Sequence, residues 1–278
     1  MPGVLIATTF VAAVAASGAA AASPQRIASM NLCTDQMALM LVGPARMASI
    51  SFLGADPAES ALAEDAKGIP INHGLAEEII AAKPDLVLTG RYTTGFAKTL
   101  LRRLGYPVIE VDSPNTIDGI RDVFMTVGEA VGEADRARGL LADMDRRLQA
   151  VTAPHSAGPR RSAIIYDANG FTVGHPGLAD DVMRLVGLAN KATELGIGAY
   201  GQIPIESMLA AKPDMIIHLI YRPGVPSIAS AAMNHPAVRA ALGGRHSIDI
   251  PGRLLTCGTP VLAAAAEKLA AAVAENDP

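Results

Sequence analysis

The chain has 278 residues, half of them apolar and 18% charged, enough to bury two modest α/β cores and too apolar for a disordered polypeptide. Its net charge of −4 excludes the basic footprint of a nucleic-acid binder, so no nucleic-acid partner is expected.

Residues 1–22 form an uncharged apolar run that closes in small residues before Ser23 and Pro24. That is the length and ending of a secretory leader, although no Lys or Arg precedes it. A cleaved signal peptide is expected there, with an uncleaved anchor as the alternative. No later run approaches the ~18 apolar residues of a membrane span. Cys33 and Cys257 would then meet an oxidising compartment, either paired or as buried thiols, and their separation does not decide which.

After Pro24, residues 26–30 read as a strand, and the run from Gln36 to Gly43 reads as a helix. A second strand follows over 46–51, then a loop-rich stretch from Phe52 to Asn72 with a short helix around 58–66. Residues 75–90 give a helix, a stop at Pro84 and a buried strand at Leu86–Leu88. A helix over 94–105 and a strand over 108–111 complete this half. Strands alternating with helices on this scale predict an α/β fold with mostly parallel sheets.

Between Thr116 and Val151 the apolar residues Ile117, Ile120, Phe124, Val127, Val131, Ala134, Leu141, Met144 and Leu148 recur at helical spacing. Gly128 and Gly132 interrupt the pattern, which predicts a shorter helix, a turn near Gly132 and a helix from Glu133 to Val151. Thr152, Pro154 and Gly158–Pro159 end it. Lying mid-chain and roughly 30 Å long, the second helix reads as a bridge between two lobes. Beyond it, strands at 162–166 and 214–219 alternate with helices at 178–186 and 205–211, and an Ala-rich helix closes the chain over 262–274.

The chain echoes itself. Residues 204–219 repeat 75–90 with six identities in 16 positions, Glu77 matching Glu206 and Ala-Ala-Lys-Pro-Asp standing in both. Each lobe therefore carries the same helix-loop-strand unit.

These motifs, together with Arg26 to Asp35 and Leu104 to Val111, resemble the periplasmic substrate-binding proteins of iron-siderophore and cobalamin ABC importers. The resemblance covers the chain from about Pro24 to Ala274. It implies two Rossmann-like lobes joined by one long α-helix, with an N-terminal lobe over 23–115, a bridge over 116–153 and a C-terminal lobe over 154–278. It also implies a periplasmic receptor that carries its ligand in the inter-lobe cleft to the membrane subunits of an ABC importer. A monomer without cofactor or bound metal is expected. In such proteins a glutamate at the place of Glu77 and Glu206 meets arginine pockets on the two membrane subunits; the plainer reading of both is a carboxylate favoured by the helix macrodipole.

Ligands of open α/β sheets sit outside the carboxyl ends of the strands. That rule sends Asn31 to Asp35, Phe52, Arg91, Tyr92, Tyr166, Tyr221, Arg222 and Arg253 toward the cleft, Tyr92 and Tyr221 being again 129 residues apart. Tyrosines offer apolar faces with a polar tip, and arginines offer bidentate donors for carboxylates or phosphates. The bland alternatives are rim packing and solvated charge. The histidines at 73, 155, 175, 218, 235 and 246 are scattered, which disfavours a direct metal site; His175, in a Gly-His-Pro-Gly loop, is the best cleft candidate.

The absence of Trp and the 4% aromatic content look like poor provision for stacking a corrin or porphyrin ring. With Arg91, Arg222 and Arg253 available, a ferric siderophore is favoured over cobalamin, with haem third. The competing class is an exported two-lobed enzyme or chelatase with Cys33 as nucleophile and His175 as base. It has no Gly-x-Ser-x-Gly elbow or phosphate-cradling loop to support it.

Overall fold

The computed structural model describes residues 22–152, 160–222 and 246–276. The expected leader up to residue 21, Pro154, Gly158–Pro159, His155 and His235 lie outside them. Among the described residues no helix is long and apolar enough to cross a membrane.

The N-terminal sheet holds β1 (Ile27–Ser29), β2 (Met47–Ser51), β3 (Ile71–Asn72), β4 (Leu86–Gly90) and β5 (Val108–Val111), all parallel, in the order β3-β2-β1-β4-β5. Helices α1 (Leu32–Val42), α2 (Ala76–Ala82) and α3 (Gly95–Arg103) make the crossovers. Alternation along the strands assigns the two faces. Ile27, Leu86 and Leu88 pack with Met37 and Leu41 of α1, whereas Ala28 and Val87 pack with Ile79 of α2 and Leu101 of α3. The short helix expected at 58–66 is absent. Asp56 Oδ1 and Ser60 Oγ accept hydrogen bonds from the backbone of Ala58 and Leu62 and hold the stretch as successive turns.

In the middle of the chain, α4 (Ile117–Ala130) and α5 (Ala134–Ala150) flank a turn in which Gly132 takes a φ of +75°. The expected stripe is their buried face, from Ile120 and Phe124 to Met144 and Leu148. The pair folds back on itself: Arg121 reaches Asp145 at 2.6 Å across 24 residues, and a Cβ added at Gly128 would sit 2.5 Å from Ala137 Cβ. The turn end is fixed to the N-terminal lobe by Arg46, which binds Glu133 at 2.6 Å and Val131 O at 2.7 Å.

Beyond the bridge come β6 (Ser162–Ile165), β7 (Phe171–Thr172), α6 (Leu178–Leu185), β8 (Ala189–Asn190), α7 (Lys191–Glu194), β9 (Gly201–Gln202), α8 (Ile205–Ala211), β10 (Met215–Ile220), β11 (His246–Pro251) and α9 (Leu262–Glu275). Strands β11-β10-β6-β8 make a second parallel sheet, and β7 pairs β9 antiparallel. The open end of the hairpin belongs to this lobe. Ile117 N donates to Asp181 at 2.9 Å, and Arg147 at the end of α5 grips Glu267 of α9 with two bonds of 2.7 and 2.8 Å. Each hairpin helix thus crosses from one lobe to the other, and a single apolar core runs through it from Met37 to Leu262.

The repeated unit has a mechanical explanation. Lys83 and Lys212 end α2 and α8 in the same left-handed conformation, φ 48° and 47°, and the following proline stops each helix. Asp85 then accepts the backbone N–H groups of Gln25 and Arg26 at 2.7 and 2.9 Å. Asp214 accepts Ser162 N and Oγ, both at 2.7 Å, and these bonds hold its carboxyl below the usual range. Each aspartate fastens the start of its lobe's first strand, β1 or β6.

Candidate functional site

The carboxyl ends of the two sheets face each other. Arg222, after β10, lies 2.8 Å from Asp56 and 3.8 Å from Glu59 in the turns after β2. Arg253, after β11, donates to Pro57 O at 3.3 Å. On the side of the hairpin, Cys33 at the start of α1 and Cys257 form a disulfide with Cα atoms 5.1 Å apart. Next to it Gly258 abuts Pro114 so closely that a Cβ would collide. Cys33 has no thiol to serve as a nucleophile, which removes the chemistry the enzyme alternative needed.

Several residues sent toward the cleft by the strand-end rule are used inside their own lobe. Asn31 caps α1, accepting Cys33 N at 2.9 Å, and its amide fills the space a side chain at Gly90 would need. Asp35 is wholly buried instead of facing the cleft. It accepts Ser51 N at 3.2 Å and Ser51 Oγ, yet burial outweighs these bonds and pushes its carboxyl up to about 7. Tyr166 is likewise buried, its hydroxyl 3.4 Å from Ile203 O, and burial raises its pKa. Tyr221 is half-buried over Gly252, where an added Cβ would lie 2.5 Å from its ring; burial raises this hydroxyl too.

The remainder stay accessible. Phe52 stacks on His73 with ring centroids 5.6 Å apart, and His73 Nδ1 is held 2.9 Å from Glu78, whose carboxyl that contact keeps below its ordinary range. Tyr92 is 85% exposed, and Arg91 stands 3.7 Å from Asp112. His175 binds Asp180 at 3.0 Å and converges with Asp181, but Arg184 already bridges both carboxylates. A cation there would have to displace a guanidinium, so these residues fit an ion-pair cluster better than a metal site.

Glu77 and Glu206 both lie exposed at the start of their helices. In α2 the helix-start role belongs to Glu78, which accepts His73 N at 2.6 Å and Leu75 N at 3.4 Å. Among the described residues neither Glu77 nor Glu206 makes an ion pair.

A model of the family described as "Periplasmic binding protein" matches residues 27–238. The chain belongs to the periplasmic binding protein family. A cobalamin-binding protein of Halobacterium salinarum is 24% identical over 158 residues, 56% of this chain; the chain spans 43% of the length of that relative. The periplasmic heme-binding protein RhuT from Roseiflexus sp. RS-1, in apo form, superposes with a TM-score of 0.71 at 19% identity, over 90% of this chain and 98% of RhuT. The periplasmic vitamin B12 binding protein BtuF of Vibrio cholerae does so with 0.67 at 19% identity, over 92% and 99%. These likenesses establish a shared fold.

In this periplasmic binding protein the aromatic residues are few but not scattered. Phe52, Tyr92, Phe96, Phe171, Tyr200 and Tyr221, six of the ten in the chain, lie on the two strand-end edges. Phe96 is 77% and Tyr200 66% exposed, the latter stacked on Phe171 at 6.2 Å. Phe96, Phe171, Tyr200 and the acidic pair Asp56 and Glu59 are not among the residues that the strand-end rule selects. Phe96 carried a usable signal, being two residues into the helix that follows the loop after β4. Nothing in the Gly-rich stretch around Tyr200 points to its partner.

Proposed function

We propose that this chain is a periplasmic receptor, exported by its leader, that captures a metal complex between its facing strand-end edges and delivers it to an ABC permease. The observation that carries the reading is the set of exposed aromatic faces on both edges. Such faces suit a flat macrocycle, a corrinoid or haem, better than the ferric siderophore that composition favoured. The arginines argue the same way, because Arg91 and Arg222 stand beside carboxylates. A ferric siderophore remains the second reading because of Arg253, whose charge faces a backbone carbonyl rather than an acid. Glu77 and Glu206, on repeated units and in no ion pair among the described residues, would dock the two halves of the permease, where charge complementarity sets encounter rate and register.

Two measurements test this. Cyanocobalamin, hemin and a ferric hydroxamate are titrated calorimetrically into the wild type, Tyr92→Ala and Tyr200→Ala. A macrocycle should bind tightest, and each variant should lose roughly 1 kcal/mol or more of affinity at unchanged melting temperature. Unaltered affinity in both variants defeats the aromatic assignment. Glu77→Lys/Glu206→Lys should abolish uptake in the native host while leaving ligand affinity intact; normal uptake by the exported double variant rules out docking.

A further inference from the structure

The strand-end edges contain a charge arrangement that the repeat does not explain. Arg222 Nη2 sits 2.8 Å from Asp56 Oδ2 and 3.8 Å from Glu59 Oε1, and the acids come from the opposite lobe. The carboxylates are the better shielded partners, 28% and 26% exposed against 55% for the guanidinium. Asp56 is also held in place. Its other oxygen accepts Ala58 N at 2.9 Å, its carbonyl accepts Ser60 N at 2.8 Å, and Arg253 binds the next residue's carbonyl. The acidic turn is therefore presented to Arg222 in a fixed position.

We propose that Asp56 and Glu59 act as a built-in anion at Arg222, a specificity filter that rejects anionic ligands and admits neutral or cationic metal complexes, which among macrocycles favours a corrinoid over haem with its two propionates. The inference rests on the proposed function only for the identity of the cargo. An external carboxylate or phosphate reaches Arg222 by displacing a tethered carboxylate, whose effective concentration is on the order of millimolar or above. A neutral complex leaves the pair intact and meets no such competitor. Selectivity then arises from the interaction denied to the wrong ligand, not from one gained by the right ligand.

The test uses the full chain and Asp56→Asn/Glu59→Gln, with Arg222→Gln to assign the signal. Inorganic phosphate is titrated while the Nε–H resonance of Arg222 is followed by nitrogen-15 NMR. Removing the acids should raise the apparent phosphate affinity at Arg222 by roughly 2–5-fold, the factor that corresponds to losing a partly exposed ion pair as competitor. In parallel, the ratio of ferric citrate to cyanocobalamin affinity should rise by about the same factor. Equal phosphate affinity in wild type and variant overturns the filter, as does a parallel change for both metal complexes. A wild type that binds no metal complex at all defeats the cargo reading instead, and the phosphate titration alone then decides the filter. Should the double variant unfold, Glu59→Gln alone must still raise phosphate affinity, or the proposal fails.

Discussion

On the hairpin side the lobes are joined by the Cys33–Cys257 disulfide, by α4 and α5, and by an apolar core continuous from Met37 to Leu262. At the strand ends the described residues meet through Arg222, Arg253 and the turns at 56–59. The first joint combines a covalent bond with burial, which is close-packed and does not yield gradually. The second is a partly exposed ion-pair contact of the kind that contributes ~0–1 kcal/mol and can open at little cost. Any movement of one lobe against the other should therefore begin with release of the turns at the strand ends, the hairpin side staying fixed.

Breaking the first joint should have the largest effect. The disulfide closes a loop of 224 residues, so Cys33→Ser/Cys257→Ser should lose about 2–5 kcal/mol of stability, read as a lower urea midpoint. An unchanged midpoint would mean that the core alone fixes the hairpin side.

Asp35 lies between the two joints, on α1 two residues after Cys33 and bonded to Ser51 where the acidic turns begin. Burial pushes its folded pKa to about 7 from an ordinary 3.8. Between about pH 4 and 7 the unfolded chain releases this proton while the folded chain keeps it, so stability falls as pH rises and levels off above about 7. Some three pKa units correspond to about 4 kcal/mol at most. Asp35→Asn should remove that slope and be more stable than wild type at pH 8, measured by urea unfolding across the range. Parallel pH profiles in the two proteins would show that Asp35 is ionised in the fold.

The sequence was informative about this molecule wherever one pattern controlled one element. The apolar stripe located α4 and α5, and the repeated Ala-Ala-Lys-Pro-Asp located α2 with β4 and α8 with β10. The antiparallel return of α4 along α5 was not legible, because it depends on contacts such as Arg121 with Asp145 across 24 residues. At the site, the strand-end rule positions backbone but not side chains. Period-two alternation after Ile164 would have turned Tyr166 inward with it, and one helical turn past Asn31 would have aimed Asp35 back at β2. The aromatic count is silent on placement, so the six rings at the strand-end edges were not legible in it.

The smallest global effect, and the sharpest division between the joints, is expected from Arg222→Gln/Arg253→Gln. Both guanidinium contacts are partly exposed, so the double variant should lose less than about 1 kcal/mol of global stability. Its effect should be local. Gly54, Asp56, Glu59 and Ser60 donate backbone hydrogen bonds within the turns, to Ser51 O, Leu53 O and Asp56 O. With both cross-lobe anchors gone, these amides should exchange with solvent faster, while amides of α4 and α5, held by buried packing, keep wild-type rates. Hydrogen exchange followed by mass spectrometry on peptides covering 50–62 and 117–150 measures both regions in one experiment. Faster exchange in both would mean that the strand-end contact also stabilises the hairpin side. Faster exchange in neither would mean that local hydrogen bonds hold the turns without the arginines.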